Sequence, residues 1–213
     1  MRKVLALAFV LLSPLEGAPL AAGPSASDWR VVWAGRGRVA FDETGVLMRS
    51  GVPSGPHETH SVLVLSKATL ARPLRDFHAS MTVATEAQLR PGKPNEWEVF
   101  WFFFNYVKPP RALKKTNFVL IQTRTGLQLG RAFDEKGEVY LARPKSPSIA
   151  AGRTYRLEVV KTGQHVEVSV DGRKVLVFDG GGAKGSLYDV PGAIGLYCED
   201  SQVRVRDVVI SPR

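Results

Sequence analysis

The sequence contains one cysteine, Cys198, in 213 residues. No internal disulfide can staple such a chain, so its stability must come from core burial or a bound ion. No apolar run approaches the about 20 residues that a membrane-spanning helix needs. Long amphipathic helical periodicity, internal repeats and low-complexity segments are also missing, which excludes bundles, solenoids and arrays. Chemical motifs are scarce. There is no Gly-x-Ser-x-Gly elbow and no zincin pattern. Gly180-Gly181-Gly182 opens no helix and so is read as a flexible connection, not a phosphate loop. His57-Glu58-Thr59-His60 follows the loop signal Gly55-Pro56, with no cysteine beside it and no third histidine near in sequence. Its spacing therefore says little about zinc.

A hydrophobic fraction of 44% is ordinary for a globular chain and excludes global disorder. Arg2 and Lys3 precede the apolar run Val4 to Leu12, and small residues follow from Ala18 to Ala26. This is the pattern of a secretory signal over about residues 1–22, with cleavage at Ala21, Ala22 or a few residues later. The expected location is secreted or periplasmic, with one domain over residues 28–213 and no transmembrane segment. The net charge is +9, which favours acidic partners in general. The basic residues are scattered, however, with only Lys114-Lys115 and Arg204/Arg206 close together. A solvated surface is the reading, with no nucleic-acid partner.

The most informative stretch is Trp97 to Tyr106, which holds seven of the 19 aromatic residues. Breakers flank it at Pro91-Gly92-Lys93-Pro94 and Lys108-Pro109-Pro110, so it reads as a strand. Strand alternation places Trp97, Val99, Trp101, Phe103 and Asn105 on one face, and Glu98, Phe100, Phe102, Phe104 and Tyr106 on the other. Both faces are largely apolar, so the strand belongs centrally in one sheet of a sandwich, its second face lining more core or a site. Around it lie further strand signals at 28–33, 38–41, 61–66, 77–85, 117–123, 127–132 and 138–142. Tyr155, Leu157 and Val159, then Val166, Val168 and Val170, alternate with polar residues across Thr162-Gly163. Asp171-Gly172 turns the chain into 174–178 to complete a three-stranded meander. Strands at 193–198 and 202–210 close the chain, about a dozen in all. The fold class is all-β, a two-sheet antiparallel sandwich.

Val190 to Tyr197 followed by Gln202 to Ile210, after the hairpin at 155–172, resembles the closing strands of the concanavalin A-like lectin/glucanase jelly rolls. The nearest likeness is to secreted bacterial domains of the family-16-glucanase-like and 3-keto-disaccharide-hydrolase-like kinds. The matching positions are Trp97, Glu98, Val99 and Trp101, then Thr116 and Phe118, then Gly195, Leu196, Tyr197, Glu199 and Asp200. The resemblance implies a jelly roll and a polysaccharide or oligosaccharide partner. It also implies a structural calcium at Asp207, with Asp42 or backbone carbonyls completing the ligands. The catalytic signature of family-16 hydrolases, three acids on one strand, is missing: Phe100 and Trp101 follow Glu98.

Sugars are held by aromatic faces and by planar amides and carboxylates. Trp97, Trp101, Asn105, Tyr106 and Gln122 are therefore the expected ligand-binding residues, with Asn117 and Gln128 nearby. Glu98, Glu199 and Asp200 are the acidic candidates for catalysis. Three functions follow: a carbohydrate-binding protein, a glycoside hydrolase or polysaccharide lyase of the same fold, and a non-catalytic envelope module. Neither the sugar nor the oligomeric state can be read from the residues.

Overall fold

The computed structural model describes residues 18–21, 23, 25–108, 115–124, 126–133, 137–181 and 185–213. The leader pattern over Arg2 to Leu12 lies outside the described residues, as do Pro109-Pro110, Lys114, Thr125 and Gly182. Among those described, no helix is long and apolar enough to cross a membrane.

Two antiparallel sheets form a sandwich, with strands numbered along the chain. Sheet A runs β13 (Arg173–Phe178), β12 (His165–Val170), β11 (Thr154–Thr162), β6 (Phe77–Gln88), β15 (Ser201–Pro212), β4 (Gly45–Arg49) and β3 (Arg38–Asp42), and the short β1 (Leu20–Ala21) also pairs with β15. Sheet B runs β10 (Glu138–Ala142), β9 (Leu127–Phe133), β8 (Lys115–Ile121), β7 (Phe100–Val107), β14 (Ala193–Glu199), β5 (Ser61–Ser66) and β2 (Trp29–Trp33). The aromatic strand β7 is thus the central strand of its sheet. The only helix among the described residues is α1 (Lys67–Ala71), whose Ser66 Oγ accepts from the amide of Thr69 at its first turn.

Alternation builds the core between the sheets. Phe77, Ala79, Met81 and Val83 of β6 face inward and are fully buried or nearly so. Phe100, Phe102 and Phe104 of β7 meet them from sheet B, with ring centroids 6.0 Å apart for Phe77–Phe102 and 5.5 Å for Phe77–Phe104. The meander turns at Asp171 and Gly172 with φ of 50° and 76°, the conformation of a tight two-residue hairpin.

The predicted alternation of β7 holds only as far as Phe104. Asn105 has φ of 50°, and the pairing of β7 slips at this point against both β8 and β14. The bulge carries Tyr106 to the same side as Trp101 and Phe103, correcting its expected placement opposite them. Asn105 is completely buried. Its Nδ2 donates to the carbonyls of Leu74, Arg75 and Val190 at 3.0, 3.1 and 2.8 Å, and Asn117 Nδ2 donates to its Oδ1 at 3.0 Å. Both amides lock loops to the sheet instead of lining a groove, because buried carbonyls of the loops at 74–75 and 188–190 need donors.

Candidate functional site

The outer face of sheet B is apolar and aromatic. Reading across paired positions, one row consists of Gln128 (β9), Leu120 (β8), Trp101 (β7), Tyr197 (β14), Leu63 (β5) and Trp33 (β2). The rings form a chain of contacts: Tyr140–Phe118 at 5.8 Å, Phe118–Trp101 at 4.9 Å, Trp101–Tyr197 at 5.6 Å and Tyr197–Trp33 at 6.4 Å. Phe103 stacks on Tyr197 at 4.7 Å. Gly130 is required beneath this floor, since a Cβ there would stand 2.4 Å from Phe118 Cζ.

This mutual packing changes the role expected for Trp101. It is 2% exposed, and its indole N–H donates to the carbonyl of Trp97 at 2.9 Å. The ring supports the floor and offers no open face. Gln122 is buried beyond the end of β8, and its backbone amide donates to Gly126 O at 2.7 Å. Trp97 precedes the strand and remains 43% exposed, the one large exposed aromatic among the described residues.

The three acidic candidates come together where β14 turns into β15. Arg90 reaches into this corner. Its Nε donates to Glu98 Oε1, and one terminal nitrogen donates to Asp200 Oδ2 at 2.6 Å. Its remaining bonds go to the carbonyls of Gly55 and Glu58, both at 2.9 Å. Glu98 and Asp200 are both fully buried. Asn95 Nδ2 donates to Glu98 at 2.8 Å, and the His60 amide donates to Asp200 Oδ1 at 2.7 Å. These two carboxylates are thereby committed to a clamp that holds the 53–60 and 89–98 loops. Burial still pushes the Asp200 carboxyl up, against the pull of the His60 amide and Arg90.

Glu199 differs. Only partly buried, it accepts a hydrogen bond from the Tyr197 hydroxyl. Burial, with the charges of Glu138, Asp200 and Glu98 adding to it, pushes its carboxyl up to about 7. Glu138 and Tyr140 come from the far edge of the sheet: the Tyr140 hydroxyl donates to Glu138 Oε2 at 2.6 Å, and Arg143 lies 4.0 Å over the Tyr140 ring. Arg90, Glu138, Tyr140 and Arg143 were not signalled by the sequence, since single charged residues beside turns and a lone tyrosine in a strand are common on any surface.

Solved structures superimpose on most of the chain. The carbohydrate-binding module CBM66 of Bacillus subtilis does so with TM-score 0.57 at 17% identity, over 85% of this chain and 93% of its own. The potassium-bound carbohydrate recognition domain of Emp46p gives 0.56 at 10%, over 90% and 95%. A native glycosidic hydrolase gives 0.55 at 14%, over 91% and 94%. The fold is that of the concanavalin A-like jelly rolls. No family model and no curated protein sequence matches the chain.

Asp207 is exposed, with φ of 52°, at a bulge in β15. Asp42 is taken up by Thr44, whose amide donates to it at 2.8 Å, and by Arg204 at 3.6 Å. Among the described residues no three His, Cys, Asp or Glu side chains gather to hold a metal. A cation of the chain's own is enclosed near the end of β11. The fully buried Lys161 ammonium sits 2.9 Å from Asp189, 3.4 Å from Asp76 and 2.9 Å from Arg75 O.

Proposed function

We propose that the chain is a secreted carbohydrate-binding protein, using a groove on the outer face of sheet B. The observation that carries this reading is Trp97, an exposed indole at the border of an otherwise self-packed aromatic floor. An indole left open at such a place offers a flat apolar face to the C–H surface of a sugar ring. Glu138, Glu199 and Gln128 supply acceptors for its hydroxyls. The sugar-binding descriptions of CBM66 and of the Emp46p domain support the reading, and the leader pattern at Arg2 to Leu12 supports export. The test is a glycan array followed by titration of the best binder. Trp97→Ala should abolish binding while leaving the melting temperature near that of the parent, and undiminished binding would overturn the assignment of the groove.

A glycoside hydrolase or lyase is a second reading, favoured by Glu199, whose carboxyl at about 7 is poised for proton transfer at neutral pH. Glu98 and Asp200, committed to Arg90, are poorer candidates. New reducing or unsaturated ends in the products would establish the enzyme, and intact glycan the binding protein. A structural calcium enters the proposal only through Asp207. It predicts a melting temperature that a chelator lowers, that calcium restores, and that becomes insensitive to both in Asp207→Ala.

A further inference from the structure

The polar groups on the outer face of sheet B are unequally satisfied. Four of its indole and phenol donors are consumed internally: Trp33 Nε1 on Ser61 Oγ at 2.9 Å, Trp101 Nε1 on Trp97 O at 2.9 Å, Tyr140 on Glu138 and Tyr197 on Glu199. The acceptors are left over. Gln128 is only 8% exposed and stands in the row with Leu120 and Trp101, and its Oε1 has no hydrogen-bond partner. The Glu138 and Glu199 carboxylates each receive one phenol, and among the described residues no lysine or arginine bonds either of them. Behind them Glu98 and Asp200 share the single Arg90, and Glu98 Oε2 is buried without a partner. Arg143 is stacked on Tyr140. Glu138 and Glu199 are thus left without a bonded cation, although the chain as a whole carries +9.

We propose that this face takes an amino sugar, an oligosaccharide whose protonated amine pairs with Glu199 while its neighbouring hydroxyls donate to Glu138 and Gln128. This deepens the carbohydrate reading and rests on it. An ammonium group has three donors and no acceptor, which matches carboxylates that receive one phenol each and no basic side chain. It also neutralises carboxylates that now repel one another. A uronate or sulfated sugar would bring a further negative charge to the same place and is excluded by that repulsion.

The test is calorimetric titration of the full chain with three oligosaccharides of equal length. The first is a glucosamine oligomer near neutral pH, where its amine and Glu199 are each partly charged and pairing favours the charged form of both, the second its N-acetylated counterpart, and the third a uronate oligomer. The expected result is that the amine form binds at least about tenfold more tightly than the acetylated form and that the uronate does not bind. Glu199→Gln, which keeps the shape and removes the charge, should bring the ratio of amine to acetyl affinity close to one. Should that variant fail to fold, Glu138→Gln should lower the same ratio. Acetylated sugar bound as well as or better than the amine form overturns the amino-sugar assignment and leaves the carbohydrate reading standing, as does uronate binding. No binding of any of the three overturns both.

Discussion

At the scale of single residues, neighbours in sequence have opposite roles in this jelly roll. Trp101 and Phe103 are 2% and 7% exposed, so Trp101→Ala and Phe103→Ala should each cost about 3–5 kcal/mol, read from urea melts. Trp97→Ala should stay within about 0.5 kcal/mol of the parent. Glu199 makes stability depend on pH. Its folded carboxyl titrates near 7, above the ordinary range near 4.5, so between those values the folded chain holds more protons than the unfolded one. Stability therefore falls as pH rises from about 4.5 to about 7, and is flat outside that window as far as this group is concerned. Glu199→Gln should match the parent at pH 4 and exceed it at pH 8, and equal stability at both would contradict the assignment. Lys161→Ala leaves Asp76 and Asp189 facing each other around an empty space. Because both are partly exposed, the loss should lie at the lower end of the about 3–5 kcal/mol typical of a broken buried pair. Lys161→Met, which fills the volume, should recover part of it.

At the scale of elements, the bulge in β7 is the feature on which the face depends. Asn105→Gly keeps access to a φ of 50° and loses the anchoring of three carbonyls and the acceptor for Asn117, a cost of about 1–3 kcal/mol. Asn105→Ala should cost about 1 kcal/mol more, because a Cβ disfavours the left-handed region. Thermal melts of the two variants measure the difference. The regular strands were legible because alternation is a local signal: β5 and β10 fall where the residues place them, and Asp171-Gly172 announces its hairpin. The five residues of β4 were not, since Gly-Val-Leu-Met-Arg alternates too little to be distinguished from a loop. The bulge was equally hidden. An asparagine within an aromatic strand looks like a groove residue until the carbonyls of Leu74, Arg75 and Val190 are found around it. The candidate site was legible in its chemistry and not in its arrangement. Trp97, Glu98, Glu199 and Asp200 were all expected to matter, but only pairing across the sheet shows that Arg90 sequesters two of the acids and that Glu138 approaches the third.

At the scale of the molecule, the two sheets are joined at Asp200, the single residue between β14 in sheet B and β15 in sheet A. β15 lies inside sheet A, pairing with β6 on one side and with β4 and β1 on the other. A chain ending before Ser201 should therefore lack a folded state, with the edges of β6 and β4 open to other chains. Far-UV circular dichroism and light scattering of that truncation should show lost strand signal and aggregation, and a monomeric folded product would contradict this. The position of β15 also has a consequence for biogenesis. Sheet A cannot close until residues 201–212 have been made, because this inner strand follows the other strands of its sheet in sequence. The nascent protein stays in the extended state that a translocation channel accepts, and if the segment at Arg2 to Leu12 directs export, the order of the strands delays folding until the far side of the membrane.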